Sequence, residues 1–270
     1  MTPAPQSRRL LNLGCGQRCH PDWVNVDMAP VHPDVLRWDA TRGIPFPDRH
    51  FSVVYHSHMI EHLKPHDVPA FLRDCRRVLE PGGIMRIATP DLERLCAAYL
   101  ERLRASAAAD HEWLVIEILD QTVREQSGGG MLEYLRRNPL SNEAFVLERI
   151  GVEGRELLET IRDASPSAAP QARPGLRQRI KDAVVTRWYG ADALQAMRIG
   201  KFRLSGEVHQ WLYDRLSLKQ LLLKAGFCEP AQRAAGESAI CGWSGFLLEV
   251  TSAGDVIKPD SIFMEARTPA

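Results

Sequence analysis

The stretch that decides the fold is Leu10–Gly16, which reads Leu-Leu-Asn-Leu-Gly-Cys-Gly, followed by Val24–Asp27, which reads Val-Asn-Val-Asp. The first apolar run ends in a glycine-rich turn, and the second ends in a carboxylate. This order is typical of a parallel sheet that binds a nucleoside cofactor, because glycine lets the backbone approach the ligand and the acidic side chain accepts the ribose hydroxyls. The stretch therefore predicts an α/β protein with a cofactor site at the carboxyl ends of its strands.

The spacing argues against a dinucleotide as that cofactor. In the dinucleotide fingerprint a third glycine opens a helix, and the acidic residue comes about 20 residues later. Here Gln17 and Arg18 follow Gly16, and Asp27 arrives early. An NAD(P)-dependent oxidoreductase or epimerase is therefore kept as an alternative, and the main prediction is a protein that binds a different nucleoside cofactor.

Later segments extend the pattern in order. Trp38–Ala40 and Ile44–Asp48 precede a strand-like run at Phe51–His58, and Glu80–Ala88 holds a Pro-Gly-Gly turn before another apolar run. Together these segments resemble the class I S-adenosylmethionine-dependent methyltransferases, although Asn12 stands where that family often has an acidic residue. The resemblance implies an α/β fold with a Rossmann-like, doubly wound, mostly parallel seven-stranded sheet, and S-adenosyl-L-methionine as the methyl donor.

The same resemblance implies roles for individual residues. Asp27 would accept hydrogen bonds from the ribose hydroxyls, and Asp39 would hold the adenine amino group while Ala40 offers its backbone N–H to the ring. The implied cofactor contacts are Asn12, Gly14, Cys15, Gly16, Asp27, Met28, Asp39, Ala40 and Ser57.

A histidine-rich stretch begins at the end of the strand-like run Phe51–His58. Ser57 and His58 lie at the carboxyl end of that run, where open parallel sheets bind ligands, so we expect His58 to face the methyl donor and the acceptor. The run from His58 to His62 also spells His-x-x-Glu-His, an inverted zinc-protease pattern. That pattern requires its own helix and a third ligand from elsewhere, so no metal is expected here.

A second candidate segment is Val208–Asp214, in which His209, Trp211 and Tyr213 alternate. His209 is a second candidate base, because methyl transfer to oxygen or nitrogen is helped by a group that removes the acceptor proton. Trp211 and Tyr213 are candidate substrate contacts. The alternative for these rings is that they simply belong to the core.

The pattern of apolar residues divides the chain into four parts. Residues 1–91 and 205–254 are predicted to form the methyltransferase core in two pieces. Residues 92–204 carry apolar residues at helical spacing and are predicted to be a helical insertion that acts as a lid. Residues 255–270 are predicted to be a peripheral tail.

Three local predictions accompany this division. Gln17–Asp22 is too short for a full crossover helix, so we expect a stunted helix with Trp23 plugging the gap. Phe246–Val250 is predicted to be a late strand. The Pro-, Ala- and Ser-rich stretch from 165 to 175 is predicted to be the mobile part of the lid.

Composition limits the classes of partner. Lys plus Arg and Asp plus Glu each number 34 in 270 residues, so no nucleic-acid footprint is expected. No apolar run approaches the roughly 20 residues of a spanning helix, so no membrane insertion is expected. Six irregularly spaced cysteines predict reduced thiols in a cytoplasmic protein. Self-association into a homo-oligomer is left open.

The sequence therefore predicts a methyltransferase that acts on an oxygen or nitrogen atom of a small molecule or saccharide. The second alternative, besides the oxidoreductase, is a binding module that kept the fold and lost the chemistry.

Overall fold

A computed structural model of the protein describes residues 9–163 and 175–270. In that part of the chain a seven-stranded sheet has the order β3-β2-β1-β4-β5-β7-β6. The strands are β1 (Leu10–Leu13), β2 (Val24–Asp27), β3 (Leu36–Arg37), β4 (Phe51–Ser57), β5 (Leu79–Pro90), β6 (Cys228–Arg233) and β7 (Ser261–Arg267). The first five strands run parallel, and β7 is antiparallel to both of its neighbours. The predicted Rossmann-like sheet is confirmed. It is a mixed sheet in which β1 to β5 are parallel and β7 is antiparallel.

Helices α1 (Val68–Val78) and α8 (Arg215–Lys224) pack on one face of this sheet. Helix α1 forms its packing face from apolar residues spaced three and four apart, and Val68, Phe71, Leu72, Cys75 and Val78 are all buried. Each large apolar side chain buried in this way contributes about 1.5–3 kcal/mol. This layer holds strands β1, β4 and β5 in the register that the site requires.

The opposite face of the sheet is covered without a helix after β1. Residues 17–22 form turns and not the predicted stunted helix, but Trp23 is fully buried as predicted, edge-on to Tyr55 and Trp243. Trp243 belongs to the long connection 234–260 between β6 and β7, so that connection takes the place of the missing crossover helix.

A buried arginine fastens this connection to the sheet. Arg86 on β5 donates to the carboxylates of Glu249 and Glu265 and to the carbonyls of Ala234 and Ala235. Every one of these partners lies in the connection or on β7, so Arg86 ties the three segments together. Removing one partner of such a buried network leaves an uncompensated charge and is strongly destabilising.

Two predictions about the end of the chain are wrong. Phe246–Val250 is not a strand, because Trp243–Phe246 is a 3₁₀ helix and Leu247 has a left-handed φ of 54°, which breaks an extended run. Residues 255–270 are not peripheral, because Ser261–Arg267 forms β7 between β5 and β6. Both faces of β7 are covered, so six of its seven residues are buried.

Between β5 and α8, the described residues form six helices: α2 (Leu92–Arg104), α3 (Ala108–Val123), α4 (Gly129–Leu135), α5 (Glu143–Asp163), α6 (Leu176–Tyr189) and α7 (Ala191–Arg203). Helices α2 to α5 bury a core of their own around Trp113, Leu114 and Tyr134. Gly190, with φ of 87°, ends α6 and separates it from α7. Of the stretch 165–175 that was predicted to be mobile, residues 165–174 lie outside the described residues.

Helix α5 bends sharply where it meets the 234–260 connection. Gly151 has φ of 65°, and a Cβ there would overlap the ring of Pro259 and lie 2.6 Å from the Ile257 carbonyl. Glycine therefore permits a contact that another residue would prevent. Two residues on, Glu153 pairs with Lys258 at 3.1 Å.

Candidate cofactor and acceptor site

Two adjoining cavities lie at the carboxyl ends of the parallel strands. Cavity A, about 470 Å³, is lined by residues of the β2 and β3 ends, among them Asp27 and Asp39. Cavity B, about 320 Å³, lies on the other side of the glycine turn and is lined by Asn12, Ser57 and Glu249. Gly14 and His58 line both cavities, so they mark the boundary between them.

The glycine turn is built by its backbone. Gly14 and Gly16 have φ of 62° and 52°, a region that L side chains rarely adopt. The N–H of Gly14 donates to the Val26 carbonyl at 2.8 Å, which fastens the turn to β2. A Cβ on Gly14 would lie 3.1 Å from the Met59 side chain, whereas one on Gly16 would meet open space. The turn therefore presents bare backbone to both cavities.

Asp27 ends β2 on the wall of cavity A. Its two carboxylate oxygens accept hydrogen bonds from the N–H groups of Gly16 at 2.9 Å and Ala29 at 2.7 Å. Each oxygen keeps a further acceptor position, because a carboxylate offers about four. The carboxylate is thus oriented by the turn and remains able to accept two hydroxyls. Met28, about half exposed, lies beside it on the same wall.

Asp39 and Ala40 form the far end of cavity A. Asp39 caps the 3₁₀ helix Ala40–Arg42, with one oxygen accepting from the N–H and hydroxyl of Thr41 and the other 3.3 Å from Arg42. The remaining wall is largely apolar, with Val26, Trp38, Met59 and Leu63. A flat base with a polar edge fits such a slot.

Asn12 is turned toward the protein and not only toward cavity B. Its amide donates to the Arg18 carbonyl at 3.0 Å and to Asn25 at 3.1 Å, both of which hold the turn. An acidic residue could not donate these bonds, which explains an amide at this position. Cys15 and Ser57 also line cavity B, and burial raises the pKa of the Cys15 thiol to about 12.

Cavity B contains charged residues that the sequence did not single out. Arg18, Glu153, Glu249 and Lys258 all line it, so cations and carboxylates face the same space. Tyr55 also lines this cavity. Only folding brings these groups together, and the one signal in the sequence was an acidic residue inside the apolar run Phe246–Val250.

His58 occupies the position that the sequence predicted, at the end of β4 between the two cavities. It has a left-handed φ of 49°, which is rare for residues other than glycine and often marks a functional position. Its Nε2 lies 2.7 Å from the Ser261 hydroxyl, and its Nδ1 lies 3.3 Å from a Glu61 carboxylate oxygen. Burial lowers the pKa of His58 well below its usual value.

The second predicted segment lies next to the cavities rather than in them. Among the described residues, the walls of the two cavities do not include His209, Trp211 or Tyr213. His209 is buried against His62, Tyr213 is in the main core, and Trp211 is 53% exposed. Tyr213 is therefore a core residue, which was the alternative interpretation of this ring, because it packs with buried residues of α8 and the sheet.

The helical segment nonetheless reaches both cavities. Glu153 of α5 lines cavity B, and Leu204 and Gly206, just after α7, line cavity A. The returning chain is fixed by hydrogen bonds from the His209 N–H to the Gln121 carbonyl and from the Gln210 N–H to the Glu61 carbonyl.

Comparison with known proteins gives the class of this site. Residues 11–87 match the family model described as a methyltransferase domain. A relative from Mycolicibacterium smegmatis, named as a probable S-adenosylmethionine-dependent methyltransferase, is 31% identical over an alignment of 101 residues. The alignment covers 31% of this chain and 38% of the relative, so the chain spans well under half of that relative's length.

Solved structures of two S-adenosylmethionine-dependent methyltransferases are also similar. One, from Mesorhizobium loti, is 19% identical, covers 33% of this chain and 50% of its own, and has a TM-score of 0.27. The other, from Archaeoglobus fulgidus, is 12% identical, covers 97% and 87%, and has a TM-score of 0.40. Structural similarity at these TM-scores carries no argument. The methyltransferase class is therefore supported by the family match over residues 11–87 and by the strand order of this chain.

Residues 11–87 match a methyltransferase domain, and the cofactor named for the similar proteins is S-adenosylmethionine. The residues present fit that group. Cavity A offers a carboxylate for a ribose and an apolar slot with a polar edge for a base, and cavity B offers both charges for an amino-acid zwitterion. Among the described residues, no helix combines the length and the apolar character needed to cross a membrane.

Proposed function

We propose that this protein transfers a methyl group from S-adenosylmethionine to an oxygen or nitrogen atom of a small molecule or saccharide. The observation that carries the proposal is the pair of adjoining cavities that meet at Gly14 and His58, with Asp27 at one end and a zwitterion-compatible set of charges at the other. When bound, the cofactor supplies an electrophilic methyl group. The protein's share is to position the acceptor, exclude water and remove a proton.

Cofactor recognition is assigned to the following groups. Asp27 accepts the ribose hydroxyls, and Asp39 with the Ala40 backbone takes the base edge. The backbone of Gly14 and Gly16 gives the close approach. For the amino-acid end, Lys258 and Arg18 suit a carboxylate, while Glu249 suits an ammonium group and compensates for the amide at Asn12.

His58 is assigned to the acceptor side. It lies at the boundary of the cavities, and Ser261 and Glu61 contact its two ring nitrogens, so the ring is held in one orientation. A ring fixed in this way can position an acceptor hydroxyl or amine, and its Nε2 can accept the acceptor's proton when the acceptor takes the place of the Ser261 hydroxyl at that nitrogen. Replacing His58 with Asn should lower kcat strongly while cofactor affinity changes little, which steady-state kinetics and calorimetry can separate.

The insertion is assigned to the acceptor pocket. Glu153 and Leu204 bring it to both cavities, so it forms part of the walls that separate the reaction from water. Replacing residues 92–204 with a short Gly/Ser loop should preserve cofactor binding and abolish turnover. Turnover that persisted with the natural acceptor would show that the insertion serves assembly or partner binding.

Ligand-induced thermal stabilisation tests the cofactor. S-adenosylhomocysteine should raise the melting temperature in a dose-dependent way, because a ligand that binds only the native state stabilises it by mass action. NAD and NADP should have no effect. Stabilisation by NAD alone would support the oxidoreductase alternative, and stabilisation by S-adenosylhomocysteine without turnover on any sugar, phenol or amine acceptor would support the binding-module alternative.

A substitution at Asp27 tests the ribose contact. Asp27→Ala removes the acceptor of two hydroxyl hydrogen bonds, so affinity for S-adenosylhomocysteine should fall by about 2 kcal/mol, or roughly 30-fold. Asp34→Ala is the matched control, because Asp34 is an exposed aspartate beyond the cavity walls. Calorimetry on both variants makes the comparison. Equal affinities would mean that the ribose is held elsewhere.

A further inference from the structure

Three ligand-type side chains converge beside cavity A. One donor atom each from Glu61, His62 and His209 lies within 4.8 Å of the other two. Glu61 and His62 come from the 3₁₀ helix Ile60–His62 that follows β4, and His209 comes from the chain returning from the insertion. The rings of His62 and His209 stand edge to face, with centroids 4.7 Å apart.

Both imidazoles of this cluster keep a buried nitrogen without a partner. Nδ1 of His62 and Nδ1 of His209 have no hydrogen-bond partner among the described residues, whereas Oε1 of Glu61 lies 3.3 Å from Nδ1 of His58. An unpaired buried polar atom costs about 1–3 kcal/mol, and two such atoms in one place call for an explanation.

A neighbouring hydroxyl orients the carboxylate of this cluster. The Thr89 hydroxyl donates to the other oxygen of Glu61 at 3.0 Å. Residues that orient metal ligands through hydrogen bonds are usual around metal sites.

The nearby cations do not forbid a metal. Arg124 and Lys258 are the cations near the two imidazoles, and both have acidic partners, Asp120 at 2.8 Å and Glu153 at 3.1 Å.

We propose that Glu61, His62 and His209 form a binding site for one divalent transition-metal ion of the zinc class. Two imidazoles and a carboxylate are a donor set that zinc takes when a fourth position stays open. Ligand atoms of a tetrahedral zinc with bonds of about 2.1 Å stand about 3.4 Å apart, so modest side-chain rotation closes the cluster. The expectation of no metal considered only the His58–His62 run and lacked His209 as the third ligand.

The site adjoins cavity A through His62, which lines it. The open position would therefore be accessible to an oxygen or nitrogen donor in that cavity. This role rests on the proposed function. If the protein is a methyltransferase, the donor at the open position is the methyl acceptor, and the ion would make the acceptor's proton more acidic. Metal binding itself does not depend on methyl transfer.

Metal titration of the full chain tests the site. The untagged protein, stripped with chelator, should bind one equivalent of Co²⁺ with the visible absorption bands of a tetrahedral site, and one equivalent of Zn²⁺ by calorimetry. Glu61→Gln and His209→Phe should each weaken Zn²⁺ binding by at least about 10-fold, since even the loss of a residue that only orients a metal ligand has that effect. His111→Phe is the matched control, because His111 also has a buried nitrogen without a partner and lies outside the cluster.

The outcomes separate this site from the proposed function. Circular dichroism confirms folding of each variant, and His62→Gln replaces any variant that does not fold. Binding of S-adenosylhomocysteine is measured on the same stripped protein. Stripped protein that binds the nucleoside but no stoichiometric metal overturns the site and leaves the methyltransferase proposal intact. Metal binding that is lost equally in His111→Phe overturns the site as well. Metal binding without nucleoside binding supports the site and contradicts the proposed function.

Discussion

His56 on β4 is a buried histidine that has no role in the proposed site. It is fully buried against Phe71, with ring centroids 5.5 Å apart, and neither ring nitrogen has a partner among the described residues. Burial lowers the pKa of His56 from 6.5 to about 3. The folded protein therefore excludes a proton that the unfolded chain binds below pH 6.5.

This exclusion predicts an acid-sensitive stability. Because the folded-state pKa is depressed, stability is lost as pH falls from 6.5 toward 3, and between pH 7 and 5 the loss from His56 should be about 2 kcal/mol. His56→Leu, an apolar side chain of similar size, should remove that part of the loss. Urea unfolding at both pH values measures the difference, and equal pH dependence in the two proteins would show that His56 is protonated in the fold or already neutral in the unfolded chain.

Single residues of the cofactor site were predictable when a local run placed them. Gly14 and Asp27 each follow a short apolar strand, and parallel register brings those strand ends to one edge. Glu249 and Lys258 were not predictable, because they reach cavity B only through the Arg86 network and the docking of α5. His209 was found, but its closeness to His62 depends on a chain return of more than a hundred residues.

At the scale of elements, the bend of α5 decides how the insertion meets the core. The contact between Gly151 and the 257–259 backbone leaves no space for a side chain. Everything beyond the bend, including Glu153 in cavity B, takes its position from this point.

Gly151→Ala should therefore be costly. The new Cβ meets both a left-handed φ and the Ile257 carbonyl, so the free energy of unfolding should fall by about 2 kcal/mol, and acceptor turnover should fall further than cofactor affinity. Gly200→Ala is the control, because Gly200 lies in α7 with open space around it and should gain up to about 1 kcal/mol. Urea titrations and kinetics compare them. If Gly151→Ala were as stable as wild type, α5 would have to be able to dock at another distance.

Elements with clear periodicity were predicted and irregular ones were not. Helices α2 to α7 lie within residues 92–204, where apolar residues at helical spacing predicted a helical segment. Strand β6 was not predicted, since Cys-Glu-Pro-Ala-Gln-Arg lacks an apolar pattern and the strand lies at the sheet edge. The late strand was placed at 246–250 instead of 261–267, because both runs are apolar and only tertiary pairing with β5 distinguishes them.

At the scale of the whole molecule, the last strand holds the sheet together. β7 hydrogen-bonds to β5 and β6, and its Glu265 pairs with Arg86. A chain that stops after Gly254 should therefore be insoluble or unfold without cooperativity, whereas one that stops after Thr268 should behave as wild type, because Thr268 keeps its bonds to Glu80 and Gly83. Soluble yield and a thermal melt test both. A stable, cooperative 1–254 chain would mean that β5 and β6 can pair directly.

Because β7 lies between β5 and β6, the sheet can be completed only after β7 has been synthesised. Strands β1 to β5 leave the ribosome early and can associate with α1, but the neighbour of β5 is translated some 170 residues later, about ten seconds to half a minute at ordinary elongation rates. Throughout that interval the edge of β5 and the Arg86 side chain lie open on the nascent chain. A chaperone that shields exposed strand edges would therefore act on this protein while it is still attached to the ribosome.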